Sequence, residues 1–521
     1  MDRKLTLRIL FWALVGLQIL PFWVVANVPT TDGPSHVYNA WILREHGNAV
    51  DHPLLSQYYQ IDRTPLPNWL SHAALALLME LFAPATAEKI LVSGYVVLFL
   101  AGARSLAGAV DPDRSWLALL AFPLVFNRAF QLGFYNFCLS LGFFLLALGF
   151  WWRRRGSPGP GLAVGINLIL WLCWFAHAVS TVLALVGIGV LWLCTLRRAT
   201  WKRHLLHVAI LAPQAVLPLW FVISHAAPPV PSQSQAGSLW RYFFRMEVLH
   251  TFSGGQIVLG ASLAALFLLL VVLTLISRGG RRAEPGPVLR EEDGFLLLAV
   301  LAFVLYCAAP EGLAGGSLLK MRLSLYPWLI LLPWLAPRLP ERLPGCLAAT
   351  ARAVMVAVLA LVAAGNAGAH ARWWRSADRE VRTFLAATRG IEPGTRVLPI
   401  LYDRRPSIGR MGILDHAFAR AATEKGLVDW SNYEASTDLF PVRLRPSAPR
   451  INGYVLAALP ESLNVRAYRD QIDYVFAWKV PPGSPLARRL RRSYVLVSEE
   501  GPARLYESVA RVRSRLPTVR E

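Results

Sequence analysis

Thr30-Thr31-Asp32-Gly33-Pro34-Ser35-His36 follows directly on an apolar run, 9–26, that is long enough to cross a bilayer. Arg3, Lys4 and Arg8 precede the run. Val24-Val25-Ala26 loosely resembles a signal-peptidase site, but Trp12, Pro21, Phe22 and Trp23 suit an uncleaved signal anchor better. Asp32 is therefore expected where the first span leaves the membrane on the non-cytoplasmic side. A Gly-Pro turn behind a carboxylate, with His36 four residues on, makes an ionisable cluster at the membrane surface. Asp two residues before Pro also suits the start of a helix over 34–43, as its N-cap. A cap tolerates Asn or Ser at position 32, and a chemical role does not.

Working outward, 55% hydrophobic residues and 19 Trp in 521 residues put the chain in the integral membrane class. A net charge of +21 in a soluble protein would suggest nucleic acid. Here the Arg and Lys residues cluster in short loops between apolar runs, as cytoplasmic loops do, and nucleic acid is set aside as a partner. Cys138, Cys173, Cys194, Cys307 and Cys346 lie in or beside apolar segments, with neither zinc-ligand spacing nor a readable disulfide framework.

Long apolar runs fall near 8–27, 89–109, 134–152, 179–196, 204–224, 257–276 and 347–368, and shorter ones near 115–127, 161–176, 295–309 and 322–336. The stretch 67–83 is apolar but carries Asn68, Ser71, His72 and Glu80. If it lies on the outer surface as a juxtamembrane helix, the loops holding Arg104, Arg114, Arg153, Arg154, Arg155, Arg197, Arg198, Lys202 and Arg203 face the cytoplasm. So do Arg278, Arg281, Arg282, Arg290, Arg338 and Arg342. The expected fold is mostly α, a multi-pass transmembrane helical bundle of about eleven spans plus juxtamembrane helices. Its N-terminus is cytoplasmic and its home is a cytoplasmic (inner) membrane. The expected division is a membrane domain over 1–369, with a first external loop 28–88, and a small extracytoplasmic α/β domain over 370–521.

Within 370–521, residues 376–388 and 413–425 read as helices, and 396–401, 471–478, 493–498 and 504–507 as strands. His416 reads as a surface histidine. Asp429, Asn432, Tyr433 and Glu434 form a polar, aromatic patch that fits either a sugar contact or a solvated loop. Arg488-Arg489-Leu490-Arg491-Arg492 reads as a solvated turn, with contact to anionic lipid headgroups as the alternative.

A carboxylate at a membrane–water boundary can serve as a general base or help hold a divalent cation, and Asp32 is placed for either. His36 would orient it or donate to a phosphate. Arg128, in the aromatic turn 126–137, is costly in a bilayer unless it reaches the interface or pairs with an anion. Tyr135 and Asn136 end that turn, and His177 falls at the next external one. Lys320 and Arg322 open a late span at the outer boundary, where two cations suit a lipid-linked phosphate. Simple snorkelling to headgroups is the plainer reading.

Several pieces together resemble the GT-C superfamily of integral membrane glycosyltransferases, in its protein mannosyltransferase and aminoarabinose transferase branch. Asp32 stands just after the first span. Thr64-Pro65-Leu66-Pro67-Asn68-Trp69-Leu70 is similar to a Pro-Pro-Leu-x-x-Trp stretch of that branch, and Phe82-Ala83-Pro84-Ala85-Thr86-Ala87-Glu88-Lys89 to its following link. Gly133-Phe134-Tyr135-Asn136-Phe137 resembles a Gly-x-x-Asn turn, and Lys320-Met321-Arg322 a late-helix arginine region. The resemblance covers 20–155 and a patch near 315–335. It implies transfer of a sugar from a polyprenyl-phosphate-linked donor to an extracytoplasmic acceptor (glycan, lipid or protein) at the surface of the lipid bilayer, by inverting displacement. Asp32 would be the base. His36, Arg128, Lys320 and Arg322 would hold the lipid phosphate, and Asn68, His72, Tyr135, Asn136 and His177 would contact donor or acceptor. A divalent cation, Mg or Mn, belongs to some members. Here Gly33 stands where the family often has Glu, and 127–136 lacks a second acidic residue, which leaves open a metal-independent version or one recruiting Asp51 or Asp62. The alternative is a non-catalytic transporter or assembly component for polysaccharide or lipid export, which predicts buried mid-span charges and paired broken helices.

Overall fold

The computed structural model describes residues 3–225, 230, 231, 236–279, 290–336, 345–403, 409–451 and 453–515. Arg281, Arg282, Arg338 and Arg342 lie outside the described residues. The fold is mostly helical. Among the described residues, six helices are long and apolar enough to cross a membrane: Lys4–Trp23, Pro84–Ala107, Tyr135–Arg154, Arg198–Ser224, Gly255–Arg278 and Ala349–Ala386. Pro160–Ala176, Ala178–Cys194 and Asp293–Ala308 are shorter apolar helices. The stretch 67–83 yields the nine-residue helix Leu70–Leu78, about 13 Å long and far below the thickness of a hydrocarbon core.

Two compact units divide the chain. The first comprises Met1–Val24, Pro65–Leu70 and Val92–Arg372. Its packing is aromatic: Phe243 stacks on Trp328 with ring centroids 4.6 Å apart, and Tyr95 stacks on Phe130 at 5.4 Å. Buried hydroxyls find partners across helices, as Ser180 does with Tyr326 at 2.6 Å. Among the described residues three apolar runs depart from regular α-helix, one of them 204–224, which passes through the 3₁₀ turn Ala212–Ala215. Pro112–Phe126 winds as a tighter 3₁₀ helix around Pro123, buried from Trp116 onward. The run near 322–336 is broken into Leu319–Leu323 and Tyr326–Leu331, with Pro327 in the first turn of the second piece.

The second unit comprises Val25–Thr64, Ser71–Leu91 and Trp373–Glu521. Its strands are β1 (Tyr59–Ile61), β2 (Arg396–Leu401), β3 (Val428–Asp429), β4 (Val442–Leu444), β5 (Tyr474–Trp478), β6 (Tyr494–Glu500) and β7 (Ala503–Ser508). β1 pairs antiparallel with β4, and the others form one sheet in the order β3-β2-β5-β7-β6. β2 runs parallel to β3 and β5, while β7 is antiparallel to both its neighbours. Every residue of β5 is buried, as a central strand covered on both faces requires. Arg396 clamps the head of β2 to the residue before β5 with two bonds to Asp473, 2.9 and 2.8 Å long.

The arginine run 488–492 is helical rather than a turn. It lies in Pro485–Ser493, which Ser484 caps by accepting from the Ala487 N–H at 3.1 Å. Leu486 and Leu490 enter the sheet core, and Arg488, Arg491 and Arg492 stay exposed. The amphipathic period was masked in the sequence by the density of charge. The helix expected over 413–425 is shorter, Phe418–Lys425, and His416 lies just ahead of it.

Candidate functional site

Helix Gly33–Glu45 carries Pro34 in its first turn, and its residues 33–42 are all buried. Asp32 stands at the N-cap position, where its carbonyl accepts from the N–H groups of Ser35 and His36 at 2.9 and 3.1 Å. Its side chain makes no capping hydrogen bond. The carboxylate instead accepts from the Tyr433 hydroxyl and lies 3.6 Å from His416 Nε2. The His416 and Tyr433 rings pack together with centroids 4.5 Å apart. Burial pushes the Asp32 carboxyl up to about 7; His36 and Tyr433 oppose the rise, and Glu434 and Asp415 add to it. A carboxyl tuned to that range both accepts and returns a proton near neutrality.

His36 points one turn along, to Glu434. Its Nδ1 lies 2.9 Å from Glu434 Oε1, and His72 Nε2 lies 2.8 Å from Oε2. All three side chains are buried, Glu434 and His72 completely. Burial works against ionising Glu434, yet the two facing imidazoles outweigh it and hold the carboxyl well below its usual range. Among the described residues, His36, His72 and Glu434 are the group that could hold a metal ion.

The segment carrying Glu434 is fixed from both sides. Asn39 and Asn432 exchange amide hydrogen bonds of 3.0 and 2.9 Å. The Tyr38 hydroxyl donates to Leu427 O at 2.6 Å and accepts from Asp429 N–H at 3.1 Å. Gly426, with φ +64°, ends helix Phe418–Lys425, and a Cβ there would meet the His52 ring at 2.9 Å. The patch around Asp429, Asn432, Tyr433 and Glu434 is therefore a buried wall of the Asp32 site. Sequence reasoning singled the patch out but did not join it to Asp32, because 400 residues of chain separate them. His416, which reads as a surface residue in the sequence, has a side chain only 22% exposed that faces the carboxylate.

The remaining candidates belong to the helical unit. Asn136 donates from its amide to Asn68 O at 2.9 Å. That bond holds Asn68 at φ +70°, a left-handed conformation that Asn tolerates better than most residues. Gly133, φ +84°, makes the turn ahead of Tyr135–Arg154. Tyr135 is buried beside Phe130, with centroids 6.2 Å apart. His177 caps helix Ala178–Cys194, its Nδ1 accepting from Val179 N–H at 3.3 Å, and packs edge-on against Phe137 at 5.4 Å. The Arg322 guanidinium lies over the Phe134 ring at 4.7 Å and near Phe137 at 5.7 Å. Arg322, His177 and the aromatic turn thus meet around Phe137. Lys320 is buried and donates to Cys307 O at 2.8 Å, satisfying a carbonyl at the end of helix Asp293–Ala308. Arg128 opens the short helix Arg128–Gln131, and its Nε is buried without a hydrogen-bond partner among the described residues.

No protein-family profile matches this chain, and no curated protein matches it by sequence. Among solved structures it is similar to the crystal structure of ArnT from Cupriavidus metallidurans bound to undecaprenyl phosphate. The match has a TM-score of 0.55 at 13% identity and covers 96% of this chain and 98% of that one. The likeness shows the fold alone: the chain is built like that structure, at low sequence identity.

Proposed function

We propose that this protein is a membrane glycosyltransferase that moves a sugar from a polyprenyl-phosphate-linked donor to an extracytoplasmic acceptor. One observation carries the reading: Asp32 occupies a capping position without capping, and its carboxylate faces Tyr433 and His416 instead. The shared fold with a protein crystallised on undecaprenyl phosphate supports the lipid-linked donor.

In this mechanism Asp32 removes the proton from the acceptor hydroxyl or amine as that atom attacks the anomeric carbon. The bond from that carbon to the phosphate oxygen breaks, configuration inverts, and polyprenyl phosphate leaves with the electron pair. Tyr433 and His416 hold Asp32 in place, as positioning residues. Arg322, whose planar fork suits a phosphate, is the cation proposed for the lipid phosphate, on the resemblance of Lys320-Met321-Arg322 to the late-helix arginine region. Arg128 is a second cation for the lipid phosphate. Tyr135, Asn136, Asn68 and His177 shape the aromatic turn beside Arg322. The test supplies polyprenyl-phosphate-linked sugar to purified protein and measures release of carrier phosphate. Wild type releases it, and Asp32→Asn, expressed and folded normally, is slower by about 10²–10⁴-fold. Equal release by the two proteins would refute the assignment.

A further inference from the structure

We propose that His36, His72 and Glu434 bind a transition-metal ion of the zinc class, and that this ion is the divalent cation of the protein. The inference is independent of the glycosyl-transfer reading, since occupancy is measured without turnover.

Three separate segments bring the ligands together: helix Gly33–Glu45, helix Leu70–Leu78 and the turn Glu434–Ser436. Their donor atoms lie within 4.8 Å of one another. The decisive separation is between His36 Nδ1 and His72 Nε2, at 3.4 Å. Two nitrogens held tetrahedrally on one ion at 2.0–2.1 Å lie about 3.3–3.4 Å apart. The rings are nearly perpendicular, at 84°. In a metal-free network both nitrogens would carry protons towards Glu434 while facing one another at that distance. One shared cation replaces both protons and leaves two neutral imidazoles on a dication.

The donor set selects the class. Two imidazoles and one carboxylate form a zinc set with one coordination position left open, and suit iron and manganese less tightly. Magnesium requires oxygen ligands and several waters, which this imidazole-rich, buried pocket does not provide. The surroundings are those of a built site. Phe440 packs against both rings, with centroids 5.9 and 5.6 Å away, and excludes solvent from one side. Glu434 O accepts from Thr437 N–H and Oγ1 at 3.0 Å each, which fixes the carboxylate-bearing turn. Because His36 is one turn from Asp32 on the same helix, a bound ion also anchors the helix that carries the proposed base.

The test uses the full chain in detergent, stripped with chelator and equilibrated with micromolar zinc chloride at neutral pH, with metal counted by mass spectrometry. Wild type is expected to retain one zinc per chain. His72→Ala and Glu434→Gln should bind on the order of 100-fold more weakly, and His225→Ala, in the other unit, should bind normally. Cobalt(II) added to stripped wild type should give the strong visible bands of a tetrahedral site and be displaced by zinc; this readout stands even where a ligand variant fails to fold. Wild type that retains no zinc, equal zinc in wild type and His72→Ala, or magnesium displacing cobalt as readily as zinc would each overturn the proposal.

Discussion

Arg420 donates to both carboxylate oxygens of Glu88, at 2.8 and 3.2 Å, and the pair is 5% and 0% exposed. A third bond from the same guanidinium reaches Val28 O at 2.7 Å. This buried fork ties the start of helix Pro84–Ala107 and the segment leading to Asp32 to helix Phe418–Lys425. Removing one member strands a charge in a dry site, which costs about 3–5 kcal/mol. Glu88→Gln and Arg420→Met should each lower the thermal midpoint in detergent by several degrees. The double replacement Glu88→Met with Arg420→Met should recover part of the loss, because no charge is left unpaired. Singles that unfold with wild type would show that the pair contributes nothing.

Asp429 gives a pH dependence of opposite sign to that of a salt-bridged carboxylate. Burial raises its pKa from the ordinary 3.8 to about 6, opposed by hydrogen bonds from Ser431 N–H and Oγ. The native state thus holds the proton more tightly than the unfolded chain does. Between about pH 4 and 6 stability is lost as pH rises, and above 6 the cost of burying the ionised group is complete. Asn at this position can accept the same two bonds without the charge. Asp429→Asn should be more stable than wild type at pH 7.5, by on the order of 1–3 kcal/mol. The advantage should vanish towards pH 4 in paired thermal scans. A difference that is constant with pH would refute the buried-charge account.

Asn68 sits at φ +70° under the amide of Asn136. Glycine adopts that conformation freely, whereas a β-branched residue resists it by roughly 1–2 kcal/mol. Asn68→Gly should keep the thermal midpoint close to wild type, and Asn68→Val should lower it. Asn136→Ala should also lower it, by leaving the Asn68 carbonyl without its donor. Reversal of the order between Gly and Val would show that the backbone relaxes out of this conformation.

The legible parts of this protein were local. Apolar length exposed the membrane helices, and a carboxylate after the first of them exposed Asp32, because both signals lie within one short window. β2 was readable to the residue, as a dense β-branched and leucine run between turn signals. The break between Leu323 and Tyr326 was hidden, since hydropathy averages over a proline. The partners of Glu434 were hidden for a different reason. A glutamate in Trp430-Ser431-Asn432-Tyr433-Glu434 looks solvated by composition, and only tertiary closure onto His36 and His72 turns it into a buried, ionised group. Periodicity reports which face of an element is buried; it carries no information on which distant segment buries it.

Lys320 and Arg322 are two residues apart in sequence and do different work. The Lys320 ammonium is committed to Cys307 O, at the end of helix Asp293–Ala308. The Arg322 guanidinium lies against Phe134 and Phe137, a stacking that a lysine reproduces poorly. Lys320→Met should therefore act on stability, lowering the thermal midpoint by the equivalent of about 1–3 kcal/mol, with little change in KM for the lipid-linked donor. Arg322→Lys should do the reverse, raising that KM by about 10-fold or more while the midpoint stays near wild type. Measuring both quantities on both variants separates the roles. If Lys320→Met raised KM and Arg322→Lys only destabilised, the leaving phosphate would belong to Lys320, and the aromatic packing of Arg322 would be a structural contact alone.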